Sequence, residues 1–134
     1  MRVKVSHNLE DLGLLISELK KQTDECGAIA VYIGVVKGRR GNEKVLRLEY
    51  KAHEELASES MRKIIEEAKA KYGIIDAIIQ HRLGSVKVGE DVMYVLVASR
   101  HRVEAFKALF EIVDRVKNEV PLSKKEVTES GDQD

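Results

Sequence analysis

The chain has 134 residues, 43% of them hydrophobic, which suits one domain with a single sizeable core. Its 23 lysines and arginines equal its 23 aspartates and glutamates, so no overall positive field attracts nucleic acid or acidic membranes, and an anion site must come from local clustering. The longest apolar run, residues 27–36, is too short to span a bilayer and the N-terminus lacks the apolar region of a signal peptide, so we expect a cytoplasmic protein.

The first elements are a predicted strand, helix and strand. Residues 2–6 alternate as in a strand, and Asn8 is placed to cap a helix that ends near Thr23. The run GAIAVYIGVV at 27–36 is rich in β-branched residues and apolar almost throughout. This pattern is typical of a central strand covered on both faces.

The middle of the chain predicts three strands and a second helix. Residues 44–52 alternate apolar and charged side chains, as in a strand with one wet face. Residues 54–73 carry an apolar stripe at helical spacing and end at a glycine, which is suited to closing a helix. The segments 74–83 and 91–99 predict two further strands, joined by glycine-containing turns.

A third helix is predicted from about His101 to Val120. Pro121, the only proline, lacks a backbone N–H and clashes with a preceding helical turn, so the helix must stop there. The helical spacing predicts a set of residues that face the core: Val103, Phe106, Leu109, Phe110, Val113 and Val116.

These elements follow the order β-α-β-β-α-β-β-α, with space for a short strand after Pro121. Consecutive strands mixed with helices predict an α+β fold with a largely antiparallel sheet and three main helices. We assign residues 1–127 to one domain. Residues 128–134 are polar, acidic and without large apolar groups, so they are predicted to form a disordered tail.

Two basic clusters lie where the chain changes direction. Lys37, Arg39 and Arg40 belong to a loop whose glycines let the backbone approach a ligand, although spacing alone favours a solvated hairpin tip. The second cluster, at 99–102, lies at the start of a helix, where positive side chains oppose the helix dipole. It therefore requires a negative partner, either a protein carboxylate or a bound phosphate.

A third basic cluster flanks Pro121 and consists of Lys117, Lys124 and Lys125. Taken alone, lysines at a helix end offset the dipole and are ordinarily solvated. A catalytic lysine requires a lowered pKa, which neighbouring cations or burial supply. The histidines have no metal-ligand spacing, so we predict neither a metal site nor a cofactor.

Five segments together resemble the large, catalytic subunit of molybdopterin synthase, an enzyme family of molybdenum cofactor biosynthesis. They are 34-GVVKG-38, 46-LRLEYKAHEELA-57, 81-HRLGSVKVGE-90, 98-ASRHRVEAF-106 and 114-DRVKNEVPLSKKE-126. Each is weak alone, but they occur in family order over nearly the whole chain. The resemblance implies an α/β-hammerhead type of fold and a heterotetramer, in which a homodimer of large subunits binds a small ubiquitin-like sulfur-carrier subunit at each end.

The resemblance also implies a sulfurtransferase. The carrier's C-terminal Gly-Gly tail, as a thiocarboxylate, passes its sulfur to cyclic pyranopterin monophosphate in a pocket of the large subunit, and two transfers build the dithiolene of molybdopterin. By position, Lys117 and Lys124 match the family's catalytic lysines, which act as general acid/base or stabilise a tetrahedral intermediate. The positions that match substrate-binding residues are Lys37, Arg39, Arg40, His101, Arg102, Lys125 and Glu126.

Two positions depart from the family pattern. Lys37 replaces an arginine, which loses a planar two-pronged anion contact, and Ser123 replaces a tryptophan beside Lys124. Two other interpretations stay open. One is a noncatalytic module that binds a phosphate ligand or RNA, although the chain has few aromatic residues for stacking bases. The other is a degenerate family member that binds the carrier without turnover.

Overall fold

The structure, a computed structural model, describes residues 1–133 and contains three helices and nine strands in that range. In chain order they are β1 (Arg2–Ser6), α1 (Leu12–Lys20), β2 (Ala28–Val35), β3 (Arg39–Arg40), β4 (Glu43–Lys51), α2 (Glu54–Tyr72), β5 (Asp76–Arg82), β6 (Gly84–Lys87), β7 (Asp91–Ser99), α3 (Arg102–Glu119), β8 (Ser123–Thr128) and β9 (Gly131–Gln133).

The main sheet has four strands in the order β1-β5-β7-β2. β1 lies parallel to β5, and the other neighbours are antiparallel. On one face, Leu15 and Leu19 of α1 pack against Ile78 and Leu96. α2 and α3 cover the other face, where the larger core cluster lies. The central strands β5 and β7 are therefore buried almost throughout.

The prediction that residues 27–36 form a central strand is wrong. β2 lies at the edge of the main sheet, and its Ile33 and Val35 are 41% and 53% exposed. Ile29 and Val31 pack with the α1 cluster, whereas Tyr32 packs with the core beneath α3. An edge strand between two helical layers has the same apolar pattern as a central strand. The pattern indicates that both faces of the strand are covered by other elements, and it does not indicate how many strands pair with it.

A second sheet is built around β4, which pairs antiparallel with β3, β6 and β8, while β8 pairs with β9. The predicted α+β class with a largely antiparallel sheet is confirmed. The segment between 83 and 91, which was predicted to consist of glycine-containing turns, also contains β6. The structure also differs from the predicted disordered tail, because β8 includes Thr128 and residues 131–133 form β9. Backbone pairing orders this hairpin without large side chains, and residue 134 lies outside the described residues.

The helices agree with the sequence in number but not in every detail. α2 ends at Gly73, which takes the predicted left-handed conformation with φ 67°. α1 is capped by Asp11 and not by Asn8: the Leu14 backbone N–H donates to Asp11 Oδ1, while the Asn8 N–H donates to the Ser6 hydroxyl. The helix therefore begins one turn later than predicted.

The inward face predicted for α3 is right for three residues and wrong for three. Val116 is buried, and Leu109 and Val113 pack half-buried against the core. Val103, Phe106 and Phe110 are instead 50%, 63% and 76% exposed. The other residues of α3 that pack into the core are Ala105, Ala108 and Ile112. Alanines let the helix approach the sheet and α2 closely, so the side of the helix with the small residues faces inward and the two phenylalanines face outward.

Candidate active site

A cavity of about 600 Å³ opens between the two sheets and the C-terminal end of α3. Its volume is in the range of small-molecule sites. The two sheets and the segments around them contribute lining residues with positive, aromatic and apolar side chains. They are Tyr32, Gly34, Val35, Lys37, Arg39, Arg40, Leu48, Tyr50, His81, Val92, Met93, Val116, Lys117, Val120, Leu122, Lys124 and Glu126.

The register between β4 and β8 explains why alternate residues of β8 line this cavity. Lys124 lies opposite Tyr50, and Glu126 lies opposite Leu48. Because successive side chains of a strand point to opposite faces, all four are directed to one side of the sheet. The intervening Lys125 lies on the other face.

Pro121 brings the two predicted catalytic lysines into the same cavity. α3 ends at Glu119, and Val120 is extended with ψ 128°, as expected for a residue that precedes proline. The chain then reverses into β8. Lys117, in the last turn of α3, and Lys124, in the first residues of β8, consequently line the same cavity.

Five cationic side chains line the cavity: Lys37, Arg39, Arg40, Lys117 and Lys124. The Lys117 ammonium lies 5.4 Å from the centroid of the Tyr32 ring, a distance that allows a cation–π interaction. The Arg40 guanidinium lies 3.6 Å from the Glu126 carboxylate. One carboxylate against five cations leaves the cavity suited to an anionic ligand.

Tyr50 and His81 form the buried side of the cavity. Their rings are 4.6 Å apart in an edge-to-face arrangement. Burial raises the pKa of the Tyr50 phenol, with further contributions from Tyr32 and Glu126. Burial also lowers the pKa of His81, against a smaller opposing effect of its hydrogen bond to the Arg82 carbonyl. Both groups are therefore neutral near pH 7.

The structure brings together most of the residues that the sequence predicted for the site, but not all. Lys37, Arg39, Arg40, Lys117, Lys124 and Glu126 line the cavity, whereas His101, Arg102 and Lys125 are not among the described residues that do. Arg102 begins α3, fifteen residues before Lys117. At about 1.5 Å per residue, the two lie roughly 22 Å apart along the helix.

Tyr32, Tyr50 and His81 were not predicted from the sequence as residues of the site. The alternation of residues 44–52 placed Tyr50 on the apolar face of its strand, but that face is here the wall of a cavity. Which strand lies opposite which is set by the tertiary fold, so no local pattern links Tyr50 to His81.

Ser123 does not line the cavity, although it replaces a family tryptophan beside Lys124. It pairs with Lys51 on β4 and lies in a shallow surface groove with Pro121 and His53. A tryptophan at this position covers that groove and leaves the wall of the cavity unchanged. The departure of Ser123 from the family pattern therefore alters the outer surface of the protein and not the cavity.

We expect Ser123→Trp to change the rate of product formation by less than about 3-fold, because a substitution on the outer face leaves the cavity contacts in place. Steady-state assays of the variant measure this rate. Leu122→Ala, which changes a residue that lines the cavity, is assayed for comparison. A restoration or loss of activity by Ser123→Trp beyond that range contradicts the assignment of this side chain to the outer face.

The described part of the chain contains no group of three or more histidine, cysteine, aspartate or glutamate side chains arranged to hold a metal ion. Among its helices, none combines the length and the apolar character that a membrane span requires.

Comparison with known proteins identifies a family. A family model described as "MoaE protein" matches residues 7–119. The molybdopterin synthase catalytic subunit of Pyrococcus abyssi is 39% identical over 125 residues, which are 93% of this chain and 81% of that protein. The subunit of the same name from Bacillus subtilis is 35% identical over 89% of this chain and 74% of its own length.

Solved structures share the fold. Molybdopterin synthase from Staphylococcus aureus superposes with a TM-score of 0.89 at 26% identity and covers 96% of this chain and 93% of that chain. A complex of subunits 1 and 2 of molybdopterin-converting factor from Helicobacter pylori superposes with a TM-score of 0.77 at 20% identity, over 98% of this chain and 88% of that chain. The second likeness shows the fold alone.

Proposed function

The chain belongs to the MoaE protein family, and from this premise we propose that its basic cavity is the active site of a molybdopterin synthase. The reaction is the transfer of sulfur from the C-terminal thiocarboxylate of a small ubiquitin-like carrier to cyclic pyranopterin monophosphate. The observation that carries the proposal is the meeting of Lys117 and Lys124 in one cavity with three further cations.

Each group of cavity residues has a part in this chemistry. The cations of the 37–40 segment bind the phosphate of the pterin, since arginine and lysine side chains form charge-assisted hydrogen bonds with phosphate oxygens. Lys117 lies on α3 and Lys124 on β8. They stabilise the negative charge that develops on the acyl oxygen during sulfur transfer. Glu126 is paired with Arg40 and holds that guanidinium in place.

The small carrier subunit is the proposed partner. Its Gly-Gly tail carries no side chains, so the extended backbone of the tail can approach the cavity walls closely. The relatives from Pyrococcus abyssi and Bacillus subtilis are named as catalytic subunits, which supports a two-component enzyme. We place the reaction in the cytoplasm.

Reconstitution with purified components tests the proposal. The chain, a thiocarboxylated carrier and cyclic pyranopterin monophosphate are mixed, and molybdopterin is measured by its fluorescent oxidation product. We expect product in proportion to the thiocarboxylate consumed. Product no greater than in a mixture that contains the carrier alone contradicts the proposal.

The outward face of α3 supports the proposed homodimer of large subunits. Val103, Phe106, Phe110, Val113 and Lys117 recur at intervals of three and four residues, so they form one stripe along the helix. Three of them are large apolar side chains at least half exposed. A repeat of this kind is the seam through which two helices pack together, and a second copy of α3 is the occupant we assign to it.

Twofold symmetry then sets the alignment of the two helices. If the twofold axis passes beside Phe110, the antiparallel partner places its Val103 opposite Lys117. The partner's His101 and Arg102 directly precede that residue and come beside the cavity of the first chain. We therefore propose that His101 and Arg102 bind substrate across the dimer, which reconciles their predicted role with the roughly 22 Å that separate them from Lys117 within one chain.

A further inference from the structure

His81 is a buried titratable group whose free nitrogen has no assigned role. The residue is 5% exposed, and that small exposure is at the cavity it lines. Its Nδ1 lies 2.7 Å from the Arg82 carbonyl oxygen. A carbonyl oxygen only accepts hydrogen bonds, so Nδ1 carries the proton and donates it. In the neutral ring, the lone pair is therefore on Nε2.

Nε2 is an acceptor without a partner within the described part of the chain. The hydrogen bonds of residues 1–133 include the contact of Nδ1 but none to Nε2. The neighbouring ring of Tyr50 meets His81 edge to face, and the hydrogen-bond partner of the imidazole among the described residues is the Arg82 carbonyl and not the Tyr50 hydroxyl. His81 Nε2 is not among the fully buried unpaired atoms of the described residues, and His81 lines the cavity, so this acceptor is open to water or a ligand there.

The other polar side chains of the cavity are poor proton acceptors. Protonated lysine and arginine have no lone pair to offer, and the raised pKa of Tyr50 keeps its phenol protonated. The carboxylate of Glu126 faces Arg40 at 3.6 Å, so it already serves as the partner of a cation. The neutral imidazole of His81 combines a free lone pair with a basicity suited to neutral pH.

The chemistry of the proposed reaction requires such an acceptor. The carrier enters with a thiocarboxylate and leaves with a carboxylate, so for each sulfur delivered one oxygen atom from water must reach the acyl carbon. Water is a weak nucleophile until a base removes a proton as it attacks. The five cations of the cavity stabilise the resulting oxyanion but do not accept that proton.

We propose that His81 is the general base of the cavity, whose Nε2 accepts a proton from the water that cleaves the acyl–sulfur bond between carrier and substrate. The inference rests on the proposed function. Water adds to the acyl carbon and one of its protons passes to Nε2. The carbon–sulfur bond then breaks with its electron pair on sulfur, which gives a carboxylic acid on the carrier. The imidazolium returns its proton to the substrate thiolate, and the carboxylic acid ionises to solvent.

His81→Asn removes the proton acceptor of His81 and keeps its hydrogen bond to the Arg82 carbonyl. In His81→Asn, the side-chain amide keeps an N–H donor for the Arg82 carbonyl and removes the base. We expect the rate of molybdopterin formation to fall by at least about 100-fold, the typical contribution of a general base. We also expect the covalent adduct of carrier and substrate to accumulate, which intact-mass spectrometry detects. His53→Asn is the matched control, because His53 caps α2 outside the cavity and asparagine is an equally good cap.

The pH dependence separates a base from a structural residue. Because burial lowers the pKa of His81, the wild-type rate should stay on its plateau through neutral pH and fall below the ordinary histidine pKa of about 6.5. That acid limb should be missing from the residual activity of His81→Asn. The titratable and charged groups of the other elements that share the cavity with His81 are Tyr32, Lys37, Arg39, Arg40, Tyr50, Lys117, Lys124 and Glu126. Among them Glu126 is the carboxylate of the cavity lining, so Glu126→Gln is measured alongside and should retain the fall of the rate in acid.

Thermal unfolding shows whether His81→Asn folds, and a second variant tests the same role if it does not. His81→Ala leaves a ring-sized space at the cavity, and added imidazole should restore its rate in a saturable way. Three results would overturn the inference. The rate of His81→Asn could still fall in acid, the fall could be lost in Glu126→Gln instead, or imidazole could fail to restore the rate of folded His81→Ala. Each of these results requires wild-type turnover, whereas a wild-type chain that forms no molybdopterin overturns the proposed function itself.

Discussion

Replacing either Lys117 or Lys124 with alanine should lower the rate of molybdopterin formation by at least about 100-fold, the effect of removing one preorganised donor from a developing oxyanion. Both ammonium groups line the cavity from elements that meet at the turn after α3. The two losses should not add in the double variant, because the lysines act on the same charge. Single-turnover assays with thiocarboxylated carrier measure the effect.

The stability of these variants should be close to that of the wild type, since both lysines are exposed and make no ion pair in the described part of the chain. Lys107→Ala on α3 and Lys51→Ala on β4 are matched controls, because both remove an exposed lysine that does not line the cavity. Lys117→Arg and Lys124→Arg keep the charge and separate charge stabilisation from proton transfer. Wild-type rates in both alanine variants would remove these residues from the mechanism.

The sequence predicts most elements of the fold because their patterns are local. α2 carries its apolar stripe, its acidic first turn and its terminal glycine within twenty residues, and β4 shows a clear alternation. β2 was misplaced because two covering layers produce the same apolar run at an edge as at the centre of a sheet. The misassigned face of α3 has a related cause. The helix has two apolar stripes, and their composition does not say which one packs against its own chain.

The candidate site is predictable to the extent that its residues belong to short motifs. Pro121 and the lysines on either side of it are recognisable in the sequence, and the structure brings Lys117 and Lys124 to one cavity. The pairing of Tyr50 with His81 depends on the packing of two sheets, so it emerges from tertiary structure alone. The role that we propose for the His101 and Arg102 pair depends on a second copy of the chain.

Mixing two inactive variants should restore activity if the site is shared between two chains. We expect Lys117→Ala and Arg102→Ala each to be nearly inactive as a homodimer. In the mixed dimer, one cavity has Lys117 from one chain and Arg102 from the other, whereas the second cavity lacks both. Random exchange makes half of the dimers mixed, so the mixture should recover about a quarter of the wild-type activity, as twofold symmetry requires. Rates are measured after the dimers have been dissociated and reassembled together.

The stripe on α3 provides the control for this recovery. Phe110 is 76% exposed in the single chain and lies at the proposed twofold axis, where it meets its own copy. Phe110→Asp therefore brings two carboxylates together in an apolar contact, and like charges in such a place oppose association. Added to both inactive variants, it should give monomers in sedimentation experiments and abolish the recovery. A mixture that recovers nothing although exchange is complete would show that Lys117 and Arg102 do not complete one site across the dimer, and recovery that survives in monomers would show that complementation does not need the α3 contact.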